Sequence, residues 1–489
     1  MSETASIAQS PSSGGAPPAS KSTGVCVKKL GGLIAFAAFA WLLPVPEGLD
    51  VRAWKLFIIF FSTIVGIILK LMPMGAMAFL AILACSLTGV LSLKESLVSF
   101  SLPVTWLIVF AFVIARGFIL TGLGSRIAYF FISLLGKNTL GLSYGFVLTE
   151  TLLAMFIPSN TARGAGIVFP IVQSLSTEYN SNPNDESRKD IGAYLMKVCF
   201  QTNTMTSAMF LTAIVCNPLV ASLAGDVGLS ISWGQWALMT LVPGALCLIM
   251  IPLVLYILYA PKIKNTPEAP SVAKDKLKTM GKLSFDEIVM LGVFGTLLVL
   301  WMGGKQFGID ATTTALLGVI VLLVTGVLSW NDILEEKGAW GTMVWFAVLL
   351  GMAGYLAKFG MMAWVSHKME GVVHGMHWGP ALIVLLLTYF YIHYFFASVT
   401  AHVTALYGVF LAVAITTGAP PMMAAMLLGA LSGVSGCLTH YGTGSAPVYF
   451  GSGYVTLKEW WTLGAILSVI YLSIWGVIGT AWWKMLGIW

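Results

Sequence analysis

Apolar runs close to the roughly 20 residues that a helix needs to cross a bilayer recur along the chain from Leu30 to Trp489, separated by short polar connections. The pattern predicts helices throughout, with room for roughly ten or more spans. In the first half they fall near 30–46, 54–71, 74–92 and 104–121, Pro44 and Pro46 closing the first of them. In the second half they fall near 286–303, 312–329 and 340–358. Two polar stretches interrupt this regularity in the same way. Phe156-Ile157-Pro158-Ser159-Asn160-Thr161-Ala162-Arg163-Gly164-Ala165-Gly166 lies between Leu140–Ile157 and Ala165–Val172, segments too short to cross comfortably, and Pro158, Gly164 and Gly166 break the helix between them. Half a chain later Phe395-Phe396-Ala397-Ser398-Val399-Thr400-Ala401-His402 repeats the order Ser-x-Thr-Ala-basic. Non-helical backbone survives at membrane depth only where protein buries it or it lines a watery cavity, so each break reads as the tip of a re-entrant hairpin and the pair as two half-sites.

A second interruption follows each hairpin about 40 residues on. The apolar run Ile191–Leu223 carries Gln201, Thr202, Asn203, Thr204, Thr206, Ser207, Thr212 and Asn217, with Pro218 directly after. Most of these hydroxyls and amides serve as glue between helices. The Asn217-Pro218 end predicts unwinding from Thr212 to Pro218. Its counterpart is the glycine-rich stretch from Gly436 to Pro447. Matched spacing of two kinds of break is the signature of an internal repeat, and repeats with an odd number of crossings are inverted. The predicted architecture is an all-α polytopic membrane protein of two inverted repeats with re-entrant hairpins. Residues 25–260 form the first repeat and 284–489 the second, joined by a basic cytoplasmic linker, 261–283. A Ser-, Ala-, Pro- and Gly-rich tail at 1–24 cannot build a core and is expected to be disordered.

Composition agrees: 58% of the residues are hydrophobic and 9% charged, against about 25% charged in an average soluble domain. The formal charge of +6 is carried largely by Lys and Arg in connections beside apolar spans. It therefore reads as positive-inside topology, with no nucleic acid implied. Lys28 and Lys29 place the N-terminus in the cytoplasm, as do Lys262, Lys264, Lys274, Lys276, Lys278 and Lys282 for the linker. The tail has no evident cleavable signal. It is Ser-rich and acid-poor like part of a transit peptide, but short and without Arg. Six scattered cysteines lack Cys-x-x-Cys spacing and read as small core residues.

Ser159 and Thr161 suit the cap of a half-helix whose free N–H groups make an anion site, with Arg163 adding a forked positive charge. Glu150 stands within the same hairpin either as a structural partner for Arg163 or another cation, or as a group for gating or ion coupling. Arg116 lies inside an apolar run and needs a counter-charge or a nearby interface. His402 at membrane depth must be neutral or lie beside an anion. His393, His402 and His440 match no standard ligand spacing, so no metal is expected. A membrane-embedded enzyme is the rival class. However, the chain has no Gly-x-Ser-x-Gly elbow, no His-Glu-x-x-His pair and no Gly-rich phosphate loop.

At these residues the chain resembles the divalent anion:sodium symporter superfamily, whose hallmark is a Ser-Asn-Thr motif in each of two opposed hairpins. Pro158-Ser159-Asn160-Thr161-Ala162-Arg163 and Ala397-Ser398-Val399-Thr400-Ala401-His402 are similar to the bacterial citrate, tartrate and succinate exchangers. Ala115-Arg116-Gly117-Phe118, Thr121-Gly122-Leu123-Gly124, His393-Tyr394-Phe395-Phe396, Leu438-Thr439-His440-Tyr441-Gly442 and Gly444-Ser445-Ala446-Pro447 look closer still to the plastid 2-oxoglutarate/malate translocators and their bacterial relatives. The resemblance implies a homodimer with a scaffold part and an elevator-type transport part. It implies a C4 to C5 dicarboxylate such as 2-oxoglutarate, malate or succinate as cargo, and a bacterial inner membrane or a plastid inner envelope as the location. It assigns the two carboxylates to Ser159, Asn160, Thr161, Ser398 and Thr400, with Thr439 beside them. Arg163, His402, His440 and Asn217 complete the candidate set. Val399 departs from the motif, which has Asn there, and His440 stands where many members have Pro. With Arg163 and His402 as fixed cations at the tips, sodium is not favoured as a cofactor, and obligate exchange is expected over sodium symport.

Overall fold

A computed structural model describes residues 27–373 and 377–489. The predicted tail at 1–24 lies outside the described residues. The described chain is helical, with a single isolated β-bridge between Asn138 and Asn265. Among these residues eight helices are long and apolar enough to cross a membrane by length and composition, and five shorter apolar helices accompany them. The predicted spans near 54–71, 104–121, 286–303 and 340–358 correspond to helices Val51–Ile68, Pro103–Thr121, Phe285–Met302 and Lys337–Lys358.

The repeat is visible in the order of elements. Helices Val51–Ile68, Met74–Leu87 and Pro103–Thr121 are followed by Leu123–Leu135. Next come a hairpin whose arms are Thr139–Ala154 and Ala162–Glu178, a broken helix (Gly192–Met209, Cys216–Gly225) and the long Trp233–Leu258. The second half repeats this order. Phe285–Met302, Ala311–Val324 and Lys337–Lys358 precede Met361–Val373. A hairpin (Trp378–Tyr391 and Val399–Thr416), a broken helix (Pro421–Ser435, Ala446–Gly451) and the final Leu457–Met485 follow. Each copy has three spans, a hairpin that returns to its own side, a broken span and one last span. With Val27–Leu42 outside the repeat and Leu123–Leu135 and Met361–Val373 not counted as crossings, five crossings per copy fit an inverted second copy.

Helices from the two copies interleave. Ala311–Val324 packs on Pro103–Thr121, and Lys337–Lys358 packs on both Met74–Leu87 and Pro103–Thr121. The hairpins and broken helices form a second packing group, in which Gly192–Met209 touches Thr139–Ala154, Trp233–Leu258 and Pro421–Ser435. Every residue of Gly192–Met209 is buried. It is the central post of that group. Arg188, just before it, holds Glu459 at 2.8 and 3.0 Å, tying the polar stretch after the first hairpin to the start of the last helix. That bond raises the Arg188 guanidinium above its ordinary value.

Arg116 finds the counter-charge it needs, with Asp332 at 3.9 Å and Glu335 at 3.6 Å. The linker differs from the basic loop predicted for it. Ala269–Met280 is a helix with Pro270 in its first turn, closed by Gly281 at φ 69°. Ala269 and Ala273 are buried on one face, with Leu277 and Met280 half-buried one and two turns further on. This stripe packs on Leu123–Leu135. Lysines on the other positions mask the stripe in the sequence.

Candidate functional site

Both hairpins are built alike at the tip. Pro158 cannot continue the incoming helix, and Ser159 accepts the Ala162 N–H at 3.2 Å as the outgoing one begins. In the second hairpin Ser398 accepts the Ala401 N–H at 3.5 Å. Each outgoing arm then widens into a π-helical stretch, Ala162–Val168 and Val403–Tyr407. Such bulges concentrate at functional sites. First-turn N–H groups have no carbonyl within their own helix, so each tip presents donors and a positive dipole end. Ser159, Asn160 and Thr161 in one tip, and Ser398 and Thr400 in the other, are half-buried, while Arg163, Val399 and His402 are buried.

The tips meet the broken helices crosswise. Asn160 Nδ2 donates to Thr443 Oγ1 at 2.5 Å, and Asn203 Nδ2 donates to the Asn160 carbonyl at 3.0 Å. Ser445 Oγ donates to Asn203 Oδ1 at 2.7 Å, and Tyr449 OH to the Gly164 carbonyl at 3.0 Å. Gly444 leaves no room for a Cβ against Thr161 Oγ1. The first tip thus closes on the break of the second half. The second tip closes on the break of the first, with Thr400 Oγ1 3.0 Å from Cys216 Sγ. That first-half break, residues 210–215, also reaches back to the first tip, since Thr212 Oγ1 donates to the Met155 carbonyl at 2.6 Å. Both tips therefore share the segment from Thr212 to Cys216. Its unwinding was expected from Asn217-Pro218.

Arg163 does not present a bare charge, which corrects the expectation from sequence. Its Nε donates to Glu150 at 2.9 Å, Nη1 to the Ile157 and Ala213 carbonyls at 2.5 Å each, and Nη2 to Ser207 at 3.2 Å. The side chain is wholly buried. A guanidinium is satisfied by unwound carbonyls and a carboxylate before any guest arrives. Glu150 is thus the carboxylate partner of Arg163, while its other oxygen, Oε2, is buried without a hydrogen-bond partner among the described residues. Asn203 donates to Oε1, the oxygen that Arg163 holds, at 2.6 Å.

His402 is not a fixed cation either. Its Nδ1 lies 2.9 Å from His393 Nδ1, and His393 Nε2 lies 3.0 Å from the Gly442 carbonyl. A carbonyl only accepts, so His393 carries a proton on Nε2. Burial without a counter-ion favours neutral rings, and with both neutral His393 Nδ1 accepts from His402, whose buried Nε2 has no hydrogen-bond partner among the described residues.

Asn217 Nδ2 donates to the Ser207 and Phe210 carbonyls at 2.8 and 2.7 Å, bracing the unwound segment, while its buried Oδ1 has no hydrogen-bond partner among the described residues. His440 packs on Phe450 at 4.6 Å and accepts from Trp461 Nε1 at 3.2 Å, away from the tip contacts. Thr439 is buried, its hydroxyl unpaired among the described residues. A Cβ on Gly442 would meet both Thr439 Oγ1 and His393 Nε2, which puts Thr439 beside the second break. A cavity of about 240 Å³ lies elsewhere, between Trp54, Phe57 and Phe60 on one side and Leu223, Ala405 and Gly408 on the other. Its walls are mostly apolar, and the one charged side chain lining it, Asp226, is acidic, so it suits no dianion and the polar tips remain the candidate site.

The model of the sodium:sulfate symporter transmembrane region matches residues 26–489. The chain belongs to that family. It is a multi-pass membrane protein and a transporter, not an enzyme. The YflS protein of Bacillus subtilis is 50% identical over 93% of this chain and 96% of its own. Dicarboxylate transporter 1 of spinach chloroplasts is 46% identical, over 95% and 82%. The citrate/succinate antiporter of Escherichia coli is 38% identical, over 92% and 96%. The crystal structure of the Alcanivorax borkumensis YdaH transporter shares the fold, with a TM-score of 0.55 over 94% of this chain and 98% of that one at 12% identity.

Asn203, Thr443, Ser445, Cys216 and His393 join the site without having been singled out as candidates. Their signal was position: Cys216, Thr443 and Ser445 sit in or beside the second break of each half, Asn203 belongs to the polar-studded run before the first of these, and His393 leads into the second tip.

Proposed function

We propose that this protein exchanges one C4 to C5 dicarboxylate for another across a bacterial plasma membrane. Each carboxylate is held at one hairpin tip, and the transport unit moves past a dimeric scaffold as an elevator. The observation that carries this reading is the crosswise closure of each tip on the other half's break. On this reading two dipole ends, the hydroxyls of Ser159, Thr161, Ser398 and Thr400, and the Asn160 amide receive one guest with a charge at both ends. The names of the spinach and Escherichia coli relatives support the substrate class, and the latter supports exchange.

The way the breaks are filled supports sodium independence. Unwound carbonyls are what a sodium ion would draw on. Here Arg163 donates to those of Ile157 and Ala213, and His393 to that of Gly442. Val399 supplies no amide oxygen where the motif has Asn. The test is uptake of labelled malate into proteoliposomes. Vesicles preloaded with malate or 2-oxoglutarate should accumulate label without sodium, and empty ones should not. Full uptake into empty vesicles driven by a sodium gradient alone would establish symport instead.

A further inference from the structure

The buried charges of the described residues can be paired off almost completely. Arg163 is paired with Glu150 at 2.9 Å, and Glu287 with Arg126 at 2.5 Å. Lys197 is the remaining one. It is wholly buried in the second turn of Gly192–Met209, and no carboxylate pairs with it among the described residues. Its ammonium donates to the Trp460 carbonyl at 3.2 Å and stands 4.1 Å from the Trp460 ring and 5.3 Å from that of Phe200. The next turn is neutral as well: Gln201 donates to the Cys437 carbonyl at 3.2 Å and accepts from Tyr471 OH at 3.1 Å. A carbonyl and two π faces soften the burial of a cation without cancelling its charge.

We infer that Lys197 is the uncompensated cation of the transport group and selects dianions over monoanions at the tips, a role that rests on the dicarboxylate reading above. Burying an ion without a counter-ion is costly, and inside a membrane it marks function more often than packing. Its place suits the role. Six residues of the same helix, about 9 Å of rise, separate it from Asn203, which holds the Asn160 carbonyl and Ser445. The ammonium acts on the tips through space and touches no guest. The net charge lacking at Arg163 and His402 is supplied from this depth. At an effective dielectric of about 20, one unit of charge roughly 12 Å away changes affinity about tenfold.

The experiment compares succinate with its isosteric monoanion succinamate as competitors of labelled malate counterflow. Wild type is set against Lys197→Met, Lys197→Gln and Lys197→Arg in the full-length protein. The preference for succinate should narrow about tenfold in the Met and Gln variants and persist in the Arg variant. An unchanged preference in a folded Met variant would overturn the inference. So would a preference kept by Gln but lost by Met, since that assigns Lys197 a hydrogen bond alone. Should the neutral variants fail to fold, ¹⁵N-lysine spectra of the wild type decide: an ammonium signal at neutral pH is expected, and an amine refutes the charge. Counterflow absent from the wild type would reject the exchanger reading, leaving Lys197 to be judged from equilibrium binding of the same two competitors.

Discussion

The two hairpin tips share a construction and differ in what holds them. Both begin with a serine cap and pass into a π-helical stretch, and both close on the other half's broken helix. The first is locked by charge, Arg163 spanning Glu150, Ile157 and Ala213. The second is locked by neutral rings, with His402 bonded to His393 and His393 to Gly442. A duplicated backbone can therefore keep its geometry while the polar filling of its breaks diverges. The geometry comes from caps and small residues, and the filling has only to satisfy the freed carbonyls.

This contrast orders the expected effects of substitution. Glu150→Gln strands the Arg163 charge in the core and should cost about 3–5 kcal/mol of stability, read as a fall in thermal unfolding in detergent. Arg163→Ala should abolish counterflow, with Thr161→Ser staying within roughly threefold. Equal small effects would remove the charge lock from the account. His393→Phe loses neutral hydrogen bonds only and should cost about 1–3 kcal/mol. If it proves more damaging than Glu150→Gln, the contrast between the tips is wrong. Ser159→Ala and Ser398→Ala each remove one cap and should cost about 1 kcal/mol apiece, and unequal losses would show that the caps are not equivalent. The smallest change is expected from Val399→Asn, which restores the motif. Counterflow should move less than about twofold and acquire no sodium dependence, because the carbonyls nearby are already engaged.

Much of this was legible in the sequence because membrane spans and breaks obey strong rules. The Ser159 and Ser398 tips, the unwinding before Asn217-Pro218 and the need of Arg116 for a partner all followed from apolar run length and local breakers. The linker helix did not, since Lys274, Lys276 and Lys278 hide the small stripe at Ala269 and Ala273. The roles of Arg163, His402 and Asn217 did not either. Sequence places these side chains near a tip, but only the fold shows that each is turned toward backbone carbonyls or, for His402, toward another ring. Crosswise closure is likewise a long-range fact, as Asn160 and Thr443 lie far apart along the chain.

The central claim is that one guest bridges both tips, and calorimetric titration of a dicarboxylate into purified protein tests it most directly. One site per chain is expected, with Asn160→Ala and Thr400→Ala each weakening binding at least about tenfold. Undiminished binding after loss of either tip would contradict a shared site.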